Sequence, residues 1–250
     1  MNGIAQWWQD AIADPFYQTF IAEDRYMMIL KGLGQTLLIT ILAVLIGFVL
    51  GFLIAVVRST ADRQQDLRKG NPVGRFILCF LNGFCKVYLT VFRGTPVIVQ
   101  LLIFNFVIFT SLRGDGGVFF VAVLTFGLNS AAYVAEIFRS GIMSIDKGQF
   151  EAGRSLGFSY ASTMIHIILP QAFKNVLPAL GNEFIVLLKE TSVVGYIAGQ
   201  DLTRAATQIQ SQTYQALFPM VSVAIIYLVM VMGLTKLVSL LERRLRNSEH

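Results

Sequence analysis

The sequence predicts an all-α membrane protein with five transmembrane helices, and three observations carry that reading. Of 250 residues, 55% are hydrophobic and only 14% are charged, against roughly a quarter charged in an average soluble domain. A bilayer core of about 30 Å needs about 20 mainly apolar residues in a helix rising about 1.5 Å per residue, and several stretches reach that length. Basic residues gather in alternate connections, as the positive-inside rule requires. A soluble helical protein would need several solvent-shielded helices of that length within one 250-residue chain and is set aside.

Residues 1–31 carry Asp10, Asp14, Glu23 and Asp24 where a signal peptide would have a basic start. They are expected to form an extracytoplasmic segment whose Trp7, Trp8, Phe16, Tyr17 and Phe20 suit the outer membrane surface. The transmembrane domain is expected over 32–241. Stretches 32–57, 94–112 and 116–135 are free of charge and read as the first three spans. The fourth, 175–198, contains Glu183, Lys189 and Glu190, and the fifth lies at 216–237. Residues 76–92 are also apolar, but Lys86, Arg93 and the Gly94-Thr95-Pro96 break favour an interfacial elbow helix leading into the second span.

With five spans, the connections 58–93 and 139–174 and the tail 242–250 share one side. That side, with the end of the last span, holds Arg58, Arg63, Arg68, Lys69, Arg75, Lys86, Arg93, Arg139, Lys147, Arg154, Lys174, Lys236, Arg243, Arg244 and Arg246. The other keeps Arg25, Lys31, Arg113 and Arg204, which puts the N-terminus outside and the C-terminus in the cytoplasm. Topology therefore accounts for the net charge of +5 without nucleic acid. Cys79 and Cys85 lack a second pair, His166 stands alone and His250 is terminal, so no metal site is expected.

Within 139–174, Asp146 is placed to cap a helix, with Gln149 three residues on to complete a capping box and Gly157 to end it in the left-handed conformation. A helix of about ten residues is marginal alone in water and should persist by docking, here onto a cytoplasmic partner. An amphipathic stretch, 158–169, follows, and Pro170 is expected to end it before the fourth span.

The spacing Glu-Ala-x, then Gly, then nine residues, then Ile-x-Leu-Pro appears as Glu151, Ala152, Gly153, Gly157, Ile167, Leu169 and Pro170. It resembles the cytoplasmic loop of importer permeases of the ATP-binding-cassette (ABC) class, with Gly153 where that family has alanine, a change costing roughly 1 kcal/mol in a helix interior. VFRGTPVIVQLLIF at 91–104, AAYVAEIFRSGI at 131–142 and LGNEFIVLLKETSVVGYI at 180–197 are similar to permeases for polar amino acids such as histidine, glutamine, glutamate and arginine. The resemblance covers most of 33–240. It implies the type I ABC importer permease fold in a bacterial inner membrane, paired with a second, identical or paralogous permease. It further implies a separate cytoplasmic ATPase dimer that holds ATP and Mg and receives the short coupling helix, and an extracytoplasmic binding protein that delivers the substrate. The chain itself has no G-x-x-x-x-G-K-[ST] phosphate loop, so neither a cofactor nor enzymatic activity is expected on it.

Ionisable residues inside a span cost about 2.5–3.5 kcal/mol on insertion scales and are functional candidates by default. Glu183 and Glu190 share a helix face about 10 Å apart, with Lys189 about 100° away. A zwitterion can use such groups, and an ion pair that only fixes packing can use them too. Gln100 and Asn129 either line the path or hydrogen-bond between helices. Glu136 and Arg139, three apart, read as a local helix pair. An ion-coupled secondary transporter is the alternative function, although the matched halves of such folds are missing; an intramembrane enzyme would need a catalytic grouping that the sequence lacks.

Overall fold

A computed structural model describes residues 2–64, 72–112 and 114–247, and the regular elements among them are helical. Arg68, Lys69, Arg113 and His250 lie outside the described residues, as do the side chains of Arg63 and Arg246. The chain opens with α1 (Asn2–Trp8), a π-helical turn Gln9–Ala13, α2 (Asp14–Phe16), a second π-helical turn Tyr17–Ile21 and a tight turn Ala22–Asp24. The remaining helices are α3 (Tyr26–Gln64), α4 (Pro72–Gly94), α5 (Val97–Ile103), α6 (Asp115–Met143), α7 (Lys147–Ser155), α8 (Tyr160–Thr163), α9 (Leu169–Glu190), α10 (Leu202–Thr213) and α11 (Leu217–Asn247).

Among the described residues four helical stretches are long and apolar enough to cross a membrane: Tyr26–Asp62, Pro72–Gly94, Asp115–Met143 and Leu217–Leu245. Two of them contain the expected spans 32–57 and 116–135, and Leu217–Leu245 covers the expected 216–237 but for its first residue. The other two expectations need correction. The elbow at 76–92 is part of a helix that can cross, and the span expected at 94–112 is a short apolar helix, Val97–Ile108, so α4 and α5 together make one broken crossing. Contacts along α4 show the climb. Asn82 accepts a hydrogen bond of 3.0 Å from Arg58 near the C-terminal end of α3, the Tyr88 hydroxyl donates to the Leu128 carbonyl, and the Phe92 carbonyl accepts from Asn129 halfway along α6. The two charges that argued against a crossing are accommodated, because Lys86 stays exposed and Arg93 reaches back to Glu136. The fourth span is α9 continued by 3-10 turns over Thr191–Ile197; its internal charges keep it below the apolarity of the other four.

Helix α6 is the core element. Val121, Ala122, Phe126, Ala131 and Ile142 are wholly buried. Its principal partner is α3, and the reason is a stripe of small residues spaced by four, Ala43, Gly47, Gly51 and Ala55. A Cβ on Gly47 would stand 2.8 Å from Ser130 Oγ, one on Gly51 2.7 Å from Val134, and one on Gly127 of α6 2.9 Å from Ile46. In lipid, where burial of apolar surface no longer drives helices together, such close backbone approach is a main source of association. Helix α9 packs on α6 where Gly141 faces Val176, and α11 packs on α9 where Gly181 faces Val238. Opposite these contacts, α4 and α11 leave Phe76, Phe80, Phe84, Leu228, Val229 and Met232 exposed, an apolar outer surface suited to hydrocarbon.

Candidate functional site

Two places carry the chemistry that the sequence points to, a docked loop at one end of the bundle and a cavity within it. The loop is built around α7. Asp146 caps it, its Oδ1 accepting from the Gly148 N–H at 2.6 Å. The capping box itself does not form: Gln149 reaches Asp146 by its backbone N–H, at 3.1 Å from the carbonyl, and its side chain makes no bond back. At the other end Gly157 is left-handed, with φ +86. Its N–H bonds the Arg154 carbonyl and that of Phe158 bonds the Gly153 carbonyl, each at 3.1 Å, the paired bonds of a Schellman cap.

Gly153 is buried, and a Cβ there would stand 2.7 Å from Thr163 Cγ2 and 2.9 Å from Ile167 Cδ1. The glycine therefore trades intrinsic helix propensity for close contact with the following turn. Beneath it lies an apolar cluster of Ile142, Ile145, Met164, Ile168 and Ala172, flanked by Phe150, Tyr160, Ile167 and Leu169. The Phe150 and Tyr160 rings sit 5.4 Å apart. Glu151 and Ala152 face outward, and Leu156 is 77% exposed. Pro170 does not end a segment. A π-helical turn, Met164–Ile168, joins α8 to α9, and Pro170 occupies the first turn of α9; the widened turn relieves the clash between a proline ring and the carbonyl four residues earlier. A continuous helical strut thus runs from α7's support into the fourth span.

The cavity, of about 430 Å³, is bounded by α4, α6 and α9, with Arg93, Tyr133, Glu136, Ser140, Asn175 and Glu183 on its walls. Glu183 accepts a hydrogen bond of 3.1 Å from the Ser130 hydroxyl. Toward the α7 end, Glu136 takes two bonds from Arg139, at 2.6 and 3.2 Å, and lies 3.6 Å from Arg93. Arg139 also approaches Asp62 of α3 at 3.8 Å, and the Arg93 guanidinium sits 5.7 Å from the centre of the Tyr133 ring. The expected local pair of Glu136 and Arg139 is thus part of a network tying α3, α4 and α6 together.

The other sequence candidates are distributed. Gln100 and Asn129 are buried and bonded to each other, Asn129 Nδ2 donating to Gln100 Oε1 at 2.9 Å. Gln100 Nε2 donates to the Phe92 carbonyl, the Thr95 carbonyl and the Thr95 hydroxyl at 2.9, 3.1 and 2.9 Å, satisfying carbonyls freed by the break between α4 and α5. Lys189 is exposed and has no ion-pair partner among the described residues, while Glu190 is half-buried at the end of α9. Sequence reasoning overlooked Ser130, Tyr133 and Arg93 as cavity residues; all three belong to or adjoin the stretches 91–104 and 131–142, so the segments were visible and the inward faces were not. Among the described residues His, Cys, Asp and Glu do not gather in threes at metal-binding distance.

Known proteins resemble the chain over most of its length. The family model described as binding-protein-dependent transport system inner membrane component matches residues 73–247. The arginine transport system permease protein ArtQ of Bacillus subtilis is 39% identical over 221 residues, 88% of this chain and 94% of that protein. The glutamine transport system permease protein GlnP of Escherichia coli is 35% identical over 222 residues, 88% and 93% of the two chains. Among solved structures, an amino acid ABC transporter crystallised with histidines superimposes with a TM-score of 0.75 at 41% identity, covering 90% of this chain and 98% of that one. The inward-facing methionine transporter MetNI shares the fold, with a TM-score of 0.71 at 20% identity over 90% and 99% of the chains.

Proposed function

Because the chain belongs to the family of binding-protein-dependent transport system inner membrane components, we propose that it is one permease subunit of an ATP-driven importer of polar amino acids. The relatives give no support to ion-coupled secondary transport. The observation that carries the mechanism is α7: a short helix capped at both ends, braced from within by the cluster under Gly153, and presenting Glu151, Ala152 and Leu156 outward. A helix built that way can receive force from a partner and pass it through the strut at Met164–Ile168 into α9.

In this reading α7 docks on a separate cytoplasmic ATPase, which supplies ATP and Mg, and a binding protein delivers substrate to the opposite side. The N-terminus lies outside and the C-terminus in the cytoplasm, so the Glu183 cavity opens toward the cytoplasm. Glu183 faces the passing amino acid, with Lys189 and Glu190 farther along α9 and Gln100 and Asn129 shaping the wall. A second permease, identical or paralogous, closes the path. Substrate moves as outward and inward arrangements exchange. Gentle purification of the tagged chain from its native membrane, followed by mass spectrometry, tests the assignment. The expected result is a stoichiometric ATPase bearing a Walker phosphate loop; a lone oligomer without one would overturn it.

A further inference from the structure

A second concavity, of about 460 Å³, adjoins the Glu183 cavity, shares Arg93 and Glu136 with it, and is walled on its far side by Arg58 and Lys86. Its charges do not balance. Glu136 is committed to Arg139 through two hydrogen bonds and lies 3.6 Å from Arg93, and Asp62 is taken by Arg139 at 3.8 Å. Among the described residues four cations thus share two carboxylates. Among the described residues Arg58 hydrogen-bonds only a neutral partner, Asn82 Oδ1 at 3.0 Å from its terminal nitrogen, its charge reaching Glu136 without direct contact, and its Nε is buried without a hydrogen-bond partner. Lys86 has no ion-pair partner among the described residues. A half-buried cation such as Arg58, flanked by Lys86 and Arg93, gains from an anion that joins them.

Resting on the import reading, we propose that Arg58, Lys86 and Arg93 form an oxyanion subsite for the α-carboxylate of the transported amino acid, reached from the Glu183 cavity past Arg93. The shared walls give the argument its direction: a zwitterion leaving Glu183, where a carboxylate meets its cationic end, encounters next a cluster matched to its anionic end. Arg58, six residues before the end of α3, places the subsite on the cytoplasmic side of that cavity.

The test uses the complete transporter, permeases with ATPase: binding is read in nanodiscs without binding protein, and ATP-driven uptake in proteoliposomes supplied with the binding protein. Calorimetry measures L-arginine and L-glutamine against their counterparts lacking the carboxylate, agmatine and 4-aminobutanamide. In the parent protein each amino acid should bind about tenfold more tightly than its counterpart, the order expected of one charge-assisted hydrogen bond. Arg58→Gln and Lys86→Gln should each erase that ratio without weakening the amines, and Lys86→Arg should restore it. An undiminished ratio in both glutamine variants, with ATP-driven uptake intact, overturns the subsite and leaves the importer standing. A ratio lost equally in Lys86→Arg marks a packing role and overturns it too. Failure of the parent protein to bind or take up any amino acid overturns the importer reading itself. A phosphate is the competing oxyanion, so the ratio is measured in phosphatidylcholine with and without phosphatidylglycerol. It should not change; its collapse on adding phosphatidylglycerol assigns the pocket to lipid headgroups.

Discussion

Single residues set the limits of both functional regions. A side chain at Gly157 forces an L-residue into a conformation costing roughly 1–2 kcal/mol at the end of the helix proposed to carry force. Gly157→Val should therefore lower ATP-driven uptake into proteoliposomes severely while ATP hydrolysis by the assembled complex persists; unchanged uptake would count against α7 as the coupling element. Gly153→Leu should act more severely, since its side chain must displace Thr163 and Ile167. Asp201 is wholly buried where it caps α10 and accepts from the backbone N–H groups of Thr203 and Arg204 at 3.0 Å each. Burial pushes its carboxyl up from 3.8 to about 6 against the pull of those donors. An acid raised in this way binds its proton more tightly in the native state, so its contribution to stability is full below the unfolded value and is lost as pH rises through about 6. Asp201→Asn keeps a capping side chain and should flatten thermal stability across that interval; a curve that keeps its slope would show that another group sets it.

At the scale of elements, the sequence made some things plain and hid others for identifiable reasons. Long charge-free runs revealed α3 and α6, a long apolar run revealed α11, and the residues from Asp146 to Gly157 revealed α7 with both its ends, because caps are local chemistry. The second crossing was misread because Lys86 and Arg93 look prohibitive in one dimension; only the fold shows one exposed and the other paired with Glu136. Pro170 was misread for a similar reason, since a π-helical turn leaves no signature in residue types. The small-residue stripe of α3 was readable at Gly47-x-x-x-Gly51, yet its partner surface on α6 was not. The amide clamp is also invisible to periodicity, as Gln100 and Asn129 lie on different helices. Gln100→Leu would leave the Thr95 carbonyl without its side-chain donor, at about 1–3 kcal/mol, while the Phe92 carbonyl keeps its bond from Asn129. The expected outcome is a lower melting temperature in detergent, with Asn129→Leu added on top costing less than the sum of the two singles, because the residues share one network.

For the whole molecule, α3 and α6 form the part that cannot slide, and α4, α7 and α9 lie around it. Gly51→Leu should separate the pair and prevent a stably folded protein from being recovered, a result that extraction and size-exclusion chromatography would show; a monodisperse, fully folded variant would mean that the contact is incidental. The same pair has a consequence in time. Its halves are made in sequence: Gly47 leaves the ribosome about 80 residues before Ser130, a delay on the order of 4–16 s at bacterial rates of about 5–20 residues per second. Throughout that interval α3 stands in the bilayer with its small-residue face uncovered, beside nascent chains from other ribosomes that carry the same face. Biogenesis is then a race between two pairings, and a chain cut short before residue 115 should show the loser, a homodimer through Gly47 and Gly51 that cross-links in membranes and that Gly51→Leu abolishes.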